Sequence, residues 1–163
     1  MAKVTSLQEL MVEELKDLYD AEHQLTEALP KMAKTATNKE LQTAFTSHLA
    51  ETKGHITRLD QVFQLLGEKA ARKTCKAMKG IVAEGSEVIE EDMDPEVKDA
   101  ALIAAAQRAE HYEMAGYGVV RTFAQTLGLS DVQTLLQQTL DEEGAADKKL
   151  TKIAEGRVNE KAR

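Results

Sequence analysis

Long segments without turn-forming residues constrain this chain more than any other feature of its sequence. The 163 residues contain only two prolines and nine glycines. Within the long segments, apolar residues recur with the 3.6-residue period of an amphipathic helix. Because strands are short and need frequent turn residues between them, the pattern predicts an all-helical protein.

Residues that favour helix ends divide the sequence into four long helices. Side chains that accept hydrogen bonds from free N–H groups predict the starts, and glycines predict most of the ends. Pairs such as Ser6 with Glu9 and Ser130 with Gln133 fit a capping box at a helix start. The predicted helices cover residues 6–37, 38–67, 94–128 and 130–156.

The lengths of the connections predict how these helices are arranged. The first and second helices, and the third and fourth, are joined by very short links, so each pair is predicted to form an antiparallel hairpin. A long crossover between two such hairpins is the ferritin-like variant of the four-helix bundle. The crossover carries its own apolar residues, which predict a shorter helix there: Met78, Ile81, Val82, Val88 and Ile89. We therefore predict one all-α, ferritin-like domain over residues 1–163, with a flexible tail at about 157–163.

Charge and hydropathy exclude several classes of protein. The net charge is −7, with 28 acidic and 21 basic residues, which disfavours nucleic acid as a partner. No apolar run approaches the ~20 residues that span a bilayer, and the N-terminus lacks the apolar core of a secretory signal. These features predict a cytoplasmic protein. Its single cysteine, Cys75, cannot hold a four-cysteine iron centre, so a redox activity would need an external electron donor.

Acidic residues and histidines occur on the apolar faces of the predicted helices. At about 100° per residue, Glu22 falls among leucines of the first helix, and Glu143 falls among leucines of the fourth. All of these residues lie near the middle of their helices, so they can meet at one level of the bundle. The predicted metal ligands are Glu22, Glu51, His55, Glu110, Glu113 and Glu143.

Metal ions would resolve the repulsion between carboxylates gathered at one buried level. Hard cations prefer carboxylate oxygen and accept imidazole nitrogen, so we predict a carboxylate-bridged di-iron site, with manganese as the alternative. Partial occupancy stays open, and either Glu142 or Asp147 can replace Glu143 as the ligand from the fourth helix. His48 also points inward, and we interpret it as a structural histidine.

Four segments of the sequence resemble the YciE/YciF stress-protein family. They are 18–25 (LYDAEHQL), 48–52 (HLAET), 104–113 (AAAQRAEHYE) and 140–143 (LDEE). The similarity extends from about residue 7 to residue 155. It implies a bacterial protein with a ferritin-like fold related to rubrerythrin, which forms a homodimer.

Comparison with rubrerythrin-type sites implies a role for individual ligands. Glu110 and Glu113 resemble the two glutamates of one helix, and Glu51 with His55 resembles the Glu/His pair of another. The spacing of that pair is four residues rather than three. Ala146 occupies the position at which a second histidine would be expected.

These observations predict a stress-associated, ferritin-like metal-binding protein. The predicted di-iron or manganese site would act on oxygen, peroxide or ferrous iron, as an oxidase or peroxidase does. The alternative is a non-enzymatic, dimeric helical stress protein whose metal site is partial or structural.

Overall fold

Four long helices, a shorter helix on the crossover and a short C-terminal helix form the protein, as a computed structural model of residues 3–163 describes it. The helices are α1 (Leu7–Thr35), α2 (Lys39–Leu65), α3 (Lys76–Glu90), α4 (Pro95–Thr126) and α5 (Ser130–Ile153), followed by a π-helical turn (Ala154–Val158) and α6 (Asn159–Lys161). Helices α1 and α2 pack together as one hairpin, and α4 and α5 pack together as the other. Helix α3 lies on the crossover against α1 and α4. The predicted all-α bundle is therefore confirmed.

The predicted caps explain most of the helix ends. The Ser6 hydroxyl accepts a hydrogen bond from the Glu9 N–H at 3.1 Å, and the Asn38 side chain accepts bonds from the first N–H groups of α2. Gly67 and Gly128 have φ angles of +69° and +70° after α2 and α4. Only glycine adopts this left-handed conformation at little cost, so both helices end where glycine occurs.

The start and the end of α5 differ from the sequence prediction. Ser130 is the first residue of α5 and not its cap, because Leu129 takes the cap position without a capping side chain. Gly156 does not end the helix, which continues through a π-helical turn into α6. Val158 is 2% exposed and packs in the core, which holds the backbone helical beyond the glycine. The predicted tail is thus helical over residues 157–161, and its flexibility stays a prediction.

Two apolar clusters lie on either side of a polar layer in the middle of the bundle. One cluster contains Leu25, Phe45 and Leu102, and the other contains Leu15, Phe63 and Leu136. The buried glutamates and histidines of α2, α4 and α5 lie between members of the two clusters, and Glu22 of α1 lies next to the boundary between Leu18 and Ala21. The fold therefore brings residues from distant parts of the sequence to one level. No helix within residues 3–163 is both long enough and apolar enough to cross a membrane.

Candidate metal centre

Six acidic or histidine side chains form the polar layer, and water hardly reaches any of them. Four are completely buried, and the remaining two, Glu110 and His48, are 3% and 6% exposed. Carboxylates are almost never buried to this extent without a partner that offsets their charge. The six residues are Glu22, His48, His55, Glu110, Glu113 and Glu143.

The first group of potential ligands draws on three helices. It comprises His48 of α2, Glu110 and Glu113 of α4, and Glu143 of α5, and one ligand atom of each lies within 4.8 Å of the others. His48 Nε2 lies 3.1 Å from Glu110 Oε1 and 3.6 Å from Glu143 Oε2. Ligand atoms lie about 2–2.6 Å from a hard cation, so atoms that are at most 4.8 Å apart can bind the same ion. This group can therefore surround one ion.

The second group shares a residue with the first. It comprises Glu22 of α1, His55 of α2 and Glu143, again with one ligand atom each within 4.8 Å. His55 Nδ1 lies 3.0 Å from Glu143 Oε1 and 3.3 Å from Glu22 Oε1. Because Glu143 belongs to both groups, it would help to hold both ions of a pair.

Each of the six side chains has at least one potential ligand atom without a hydrogen-bond partner within the described residues. These atoms include both oxygens of Glu113, both oxygens of Glu143, Nδ1 of His55 and Nε2 of His48. These atoms approach one another closely without hydrogen-bond angles, as expected of atoms that point at common centres. A buried polar atom without a partner costs about 1–3 kcal/mol, and more when it is charged. Bound cations would satisfy all of these atoms, so the residues fit a metal pair.

His55 carries the counter-charge of this layer when it is protonated. Burial alone would lower the pKa of His55, but its contacts with Glu143 and Glu22 and their negative charges raise the pKa to about 10. Burial likewise acts to raise the pKa of Glu143, and the contact with His55 lowers it below its usual range. A proton on His55 therefore takes the place that a cation would fill, and metal binding must displace it.

The pKa values of the two glutamates of α4 are raised, whereas that of Glu143 is lowered. Burial, followed by the negative charges of Glu22 and Glu143, raises the pKa of Glu113 well above its usual range. Burial and the charge of Glu143 do the same to the pKa of Glu110. Glu113 has no ion pair with a basic side chain within the described residues, and Glu110 has only the imidazole of His48 at 3.1 Å, whereas His55 lies against both Glu22 and Glu143. Both α4 carboxylates thus favour the neutral form until a cation binds.

Two further contacts orient ligands of the second group. The Tyr117 hydroxyl donates a hydrogen bond to Glu22 Oε1 at 2.5 Å. On the far side of the imidazole, His55 Nε2 lies 2.8 Å from Glu142 Oε2. Arg58 donates two hydrogen bonds to the Glu142 carboxylate, each at 3.0 Å. With Nε2 bonded to a carboxylate, Nδ1 is left as the metal-binding nitrogen of His55.

Five of the six predicted ligands are brought together, and Glu51 is not. Its side chain is 47% exposed and contacts His48 Nδ1 at 3.2 Å. Glu51 lines an opening of about 140 Å³ between α2 and α5 that leads to His48 and Glu110. Glu51 lies four residues before His55, at the edge of the buried face of α2. The way in which α5 packs against α2 leaves this edge exposed to solvent.

The alternatives for α5 separate clearly. Glu143 lies in the polar layer, whereas Glu142 is 40% exposed and contacts the imidazole of His55 from outside. Asp147 faces His111 at 3.2 Å and belongs to neither ligand group. The structure thus places Glu143, and neither alternative, with the other ligands.

His48 is the residue of the cluster that the sequence interpretation left out. It lies seven residues before His55, which is two helical turns, and both imidazoles therefore project from the same face of α2. The seven-residue spacing of the two histidines is the signal in the sequence that indicates His48 as a potential ligand. Comparison with the Glu/His pair of rubrerythrin-type sites instead favours Glu51, which lies one turn after His48.

Comparisons with known proteins agree with this fold. Residues 6–163 match a family described as a domain of unknown function, DUF892. Protein YciF of Escherichia coli K12 is 48% identical over 158 residues, which are 96% of this chain and 95% of that protein. The crystal structure of the E. coli stress protein YciF superimposes with a TM-score of 0.92 at 46% identity, over 96% of this chain and 99% of that one.

Two further solved structures extend the similarity. YcfI from Rhodopseudomonas palustris superimposes with a TM-score of 0.89 at 44% identity, over 91% of this chain and 95% of that one. A ferritin-like, diiron-carboxylate protein from Bacillus anthracis superimposes with a TM-score of 0.70 at 14% identity, over 92% of this chain and 99% of that one. At such low identity, the second similarity shows the ferritin-like fold alone.

Proposed function

We propose that this chain, which belongs to the DUF892 family, binds a pair of iron or manganese ions and acts on oxygen, peroxide or ferrous iron. The resemblance of its sequence to YciE/YciF proteins agrees with this family. One observation carries this proposal. Ligand atoms of six side chains from all four long helices converge in a buried layer without hydrogen-bond partners among the described residues. A protein that needed this layer only for stability would be better served by apolar residues.

The composition of the ligand set favours iron or manganese over zinc. Four of the six side chains are glutamates, and none is a cysteine. Structural zinc sites are built mainly from cysteine and histidine, whereas oxygen-rich sites suit harder cations. An iron or manganese pair in this position would supply electron transfer to or from oxygen, peroxide or ferrous iron.

The protein residues would hold the ions and control access to them. Glu143 would serve both positions, while Tyr117 orients Glu22 and Glu142 orients His55. The apolar clusters on both sides exclude water from the layer, which strengthens every electrostatic contact within it. The acidic side chains of Glu51 and Glu142 line the opening between α2 and α5, which suits the entry of cations.

Metal content and ferrous oxidation test this function directly. We expect protein purified without chelator to contain iron or manganese at about two ions per chain, because two ligand groups are present. Added ferrous iron should then be oxidised by oxygen or hydrogen peroxide at least about tenfold faster than in buffer. Elemental analysis and absorbance of ferric iron are the measurements. A folded protein that takes up neither metal would contradict the proposal.

Replacing Glu142 by glutamine is expected to weaken metal binding without removing a ligand. The amide loses the charge-assisted contact with His55 and the paired hydrogen bonds from Arg58, so the imidazole is less firmly oriented. Loss of such an outer contact typically lowers metal affinity about 10- to 100-fold. Competition with a chelator of known affinity measures the change.

Asp141→Asn is the matched control for this experiment. Asp141 is the neighbouring acid on α5, is exposed, and contacts only Gln137 of its own helix. It should leave the metal affinity within about twofold of the wild type, which corresponds to a few tenths of a kcal/mol. Equal effects of both substitutions would show that general surface charge acts on the metal, and not the contact with His55.

A non-enzymatic role is the second candidate function. The second ligand group has three side chains against four in the first, and Ala146 supplies no histidine from α5. Thr52, which is buried between His48 and His55, supplies neither a carboxylate nor an imidazole. These features favour a partial site that stabilises the bundle. Uptake of one ion without ferrous oxidation would support this role.

The assembly and location of the protein are part of the same proposal. We propose a cytoplasmic homodimer that receives electrons from another protein or from ferrous iron itself. Light scattering coupled to gel filtration of the full chain would test the dimer. A molecular mass near 17.9 kDa, that of one chain, would exclude it.

A further inference from the structure

A second cavity reaches the polar layer from the side opposite Glu51. It lies beneath the crossover helix, enclosed by α1, α3 and α4, and has a volume of about 130 Å³. Its walls are mainly aliphatic and come from all three helices, although Gln24, Glu27, Lys31 and Ser86 also line them. The larger aliphatic side chains are Leu25, Leu29, Met32, Ile81, Val82 and Ile89.

Small residues on two facing helices create this space. Ala105, Ala106 and Ala109 line it from α4, and Gly85 lines it from α3. A Cβ atom at Gly85 would lie 4.0 Å from the Cβ of Ala105, which is an ordinary contact distance. Larger side chains at these positions would fill the space, as they do elsewhere in the two apolar clusters.

The inner end of the cavity is polar. Glu110 and His48 line it there, and Glu110 is 3% exposed with a carboxylate oxygen, Oε2, that has no hydrogen-bond partner among the described residues. Among the described residues, the charged side chains that line the cavity outside this inner end are Glu27 and Lys31, and both are exposed. A ligand that fits must therefore be neutral, apolar along its length and able to present one polar group to Glu110.

We propose that this cavity binds a small neutral molecule with an apolar body and one polar end, of about the size of phenol. A cavity of about 150 Å³ with aliphatic walls is large enough for a benzene ring, so a volume of about 130 Å³ suits a ligand of this size. The apolar body would lie under α3, and the polar end would reach Glu110. The proposal rests on the proposed function for one point, that the polar end meets the metal site.

Binding of phenol and benzene to the full chain tests the cavity. Titration calorimetry should report binding of both molecules in the metal-free protein and in the protein loaded with manganese, and the methyl NMR signals of the lining residues should report it in the metal-free protein. Benzoate, which has the same ring and a negative charge, should bind at least about tenfold more weakly than phenol. Equal binding of benzoate and phenol would overturn the neutral ligand class.

Gly85→Leu should weaken binding of benzene at least about tenfold, because the new side chain occupies the cavity. Gly80→Leu is the matched control: Gly80 is on the same helix, is exposed and has no atom within 4 Å of an added Cβ. Ala105→Leu fills the same space from α4 and replaces Gly85→Leu if that variant does not fold. Unchanged binding in a folded filling variant, or no binding to the wild type, would overturn the proposal.

The outcomes for the cavity and for the metal site can be told apart. Benzene binding that is lost in Gly85→Leu supports the cavity even in a protein that takes up no metal, and that protein would contradict the proposed function. In the manganese-loaded protein, the paramagnetic ion should broaden the ring signals of bound phenol. Binding without any broadening would overturn the placement of the polar end at the metal site.

Discussion

Glu143→Ala is expected to abolish binding of both metal ions, whereas Glu22→Ala is expected to leave one. Glu143 is the one residue that belongs to both ligand groups, and Glu22 belongs only to the group with His55. Removing Glu143 therefore takes an oxygen ligand from each position, and we expect the affinity to fall by more than about 100-fold at both. Elemental analysis should give about two ions per chain for the wild type, about one for Glu22→Ala and close to none for Glu143→Ala.

Asp141→Ala serves as the control for both substitutions, because Asp141 is an exposed acid two positions before Glu143. It should retain both ions. Circular dichroism must show that each variant keeps its helices. Two ions retained in a folded Glu143→Ala protein would refute the shared position of this residue. One ion in both glutamate variants would indicate two independent sites.

Glu113→Met is expected to stabilise the metal-free protein while it removes a ligand of the first group. Glu113 is completely buried, and neither of its oxygens has a hydrogen-bond partner within the described residues. Replacing such a group by an apolar side chain of similar shape commonly stabilises a protein by about 1–4 kcal/mol. For a chain of this length, each kcal/mol corresponds to roughly 2–4 °C in Tm. Thermal unfolding in the presence of a chelator measures the gain.

The gain should increase with pH. Burial raises the pKa of Glu113 in the folded state, so the folded protein holds a proton that the unfolded chain has already released. The stability of the metal-free wild type must therefore fall as the pH rises through the folded pKa of Glu113. The methionine variant lacks this proton and should lose less stability over the same range.

Glu84→Met is the matched surface control, because Glu84 is exposed on α3 and belongs to neither ligand group. It should change the free energy of unfolding by no more than about 0.5 kcal/mol. If Glu113→Met instead destabilises the metal-free protein, as a cavity-forming substitution would, then the Glu113 carboxylate has a stabilising partner in solution. The expected gain in stability from removing two unsatisfied oxygens would then be wrong. Together, the gain in stability and the loss of metal would indicate that this layer is kept for binding.

The layout of the helices could be predicted from local signals because each signal acts within a few residues. Asn38 caps α2 through its own side chain, and Gly67 and Gly128 end two helices through their own backbone angles. Gly156 shows the limit of this reasoning. The same residue type fails to end a helix there, because the burial of Val158 in the tertiary core favours a continued helical path.

The candidate ligands followed from a mismatch that the sequence carries by itself: glutamates at positions where the helical period demands apolar residues. That mismatch sufficed for Glu22, Glu110, Glu113 and Glu143, because the centre of an apolar stripe is buried in any packing of an amphipathic helix. At the edge of a stripe, burial depends on the neighbouring helix. Only the tertiary structure could decide that His48 faces the cluster, that Glu51 lines an opening, and that Glu142 contacts His55 from outside.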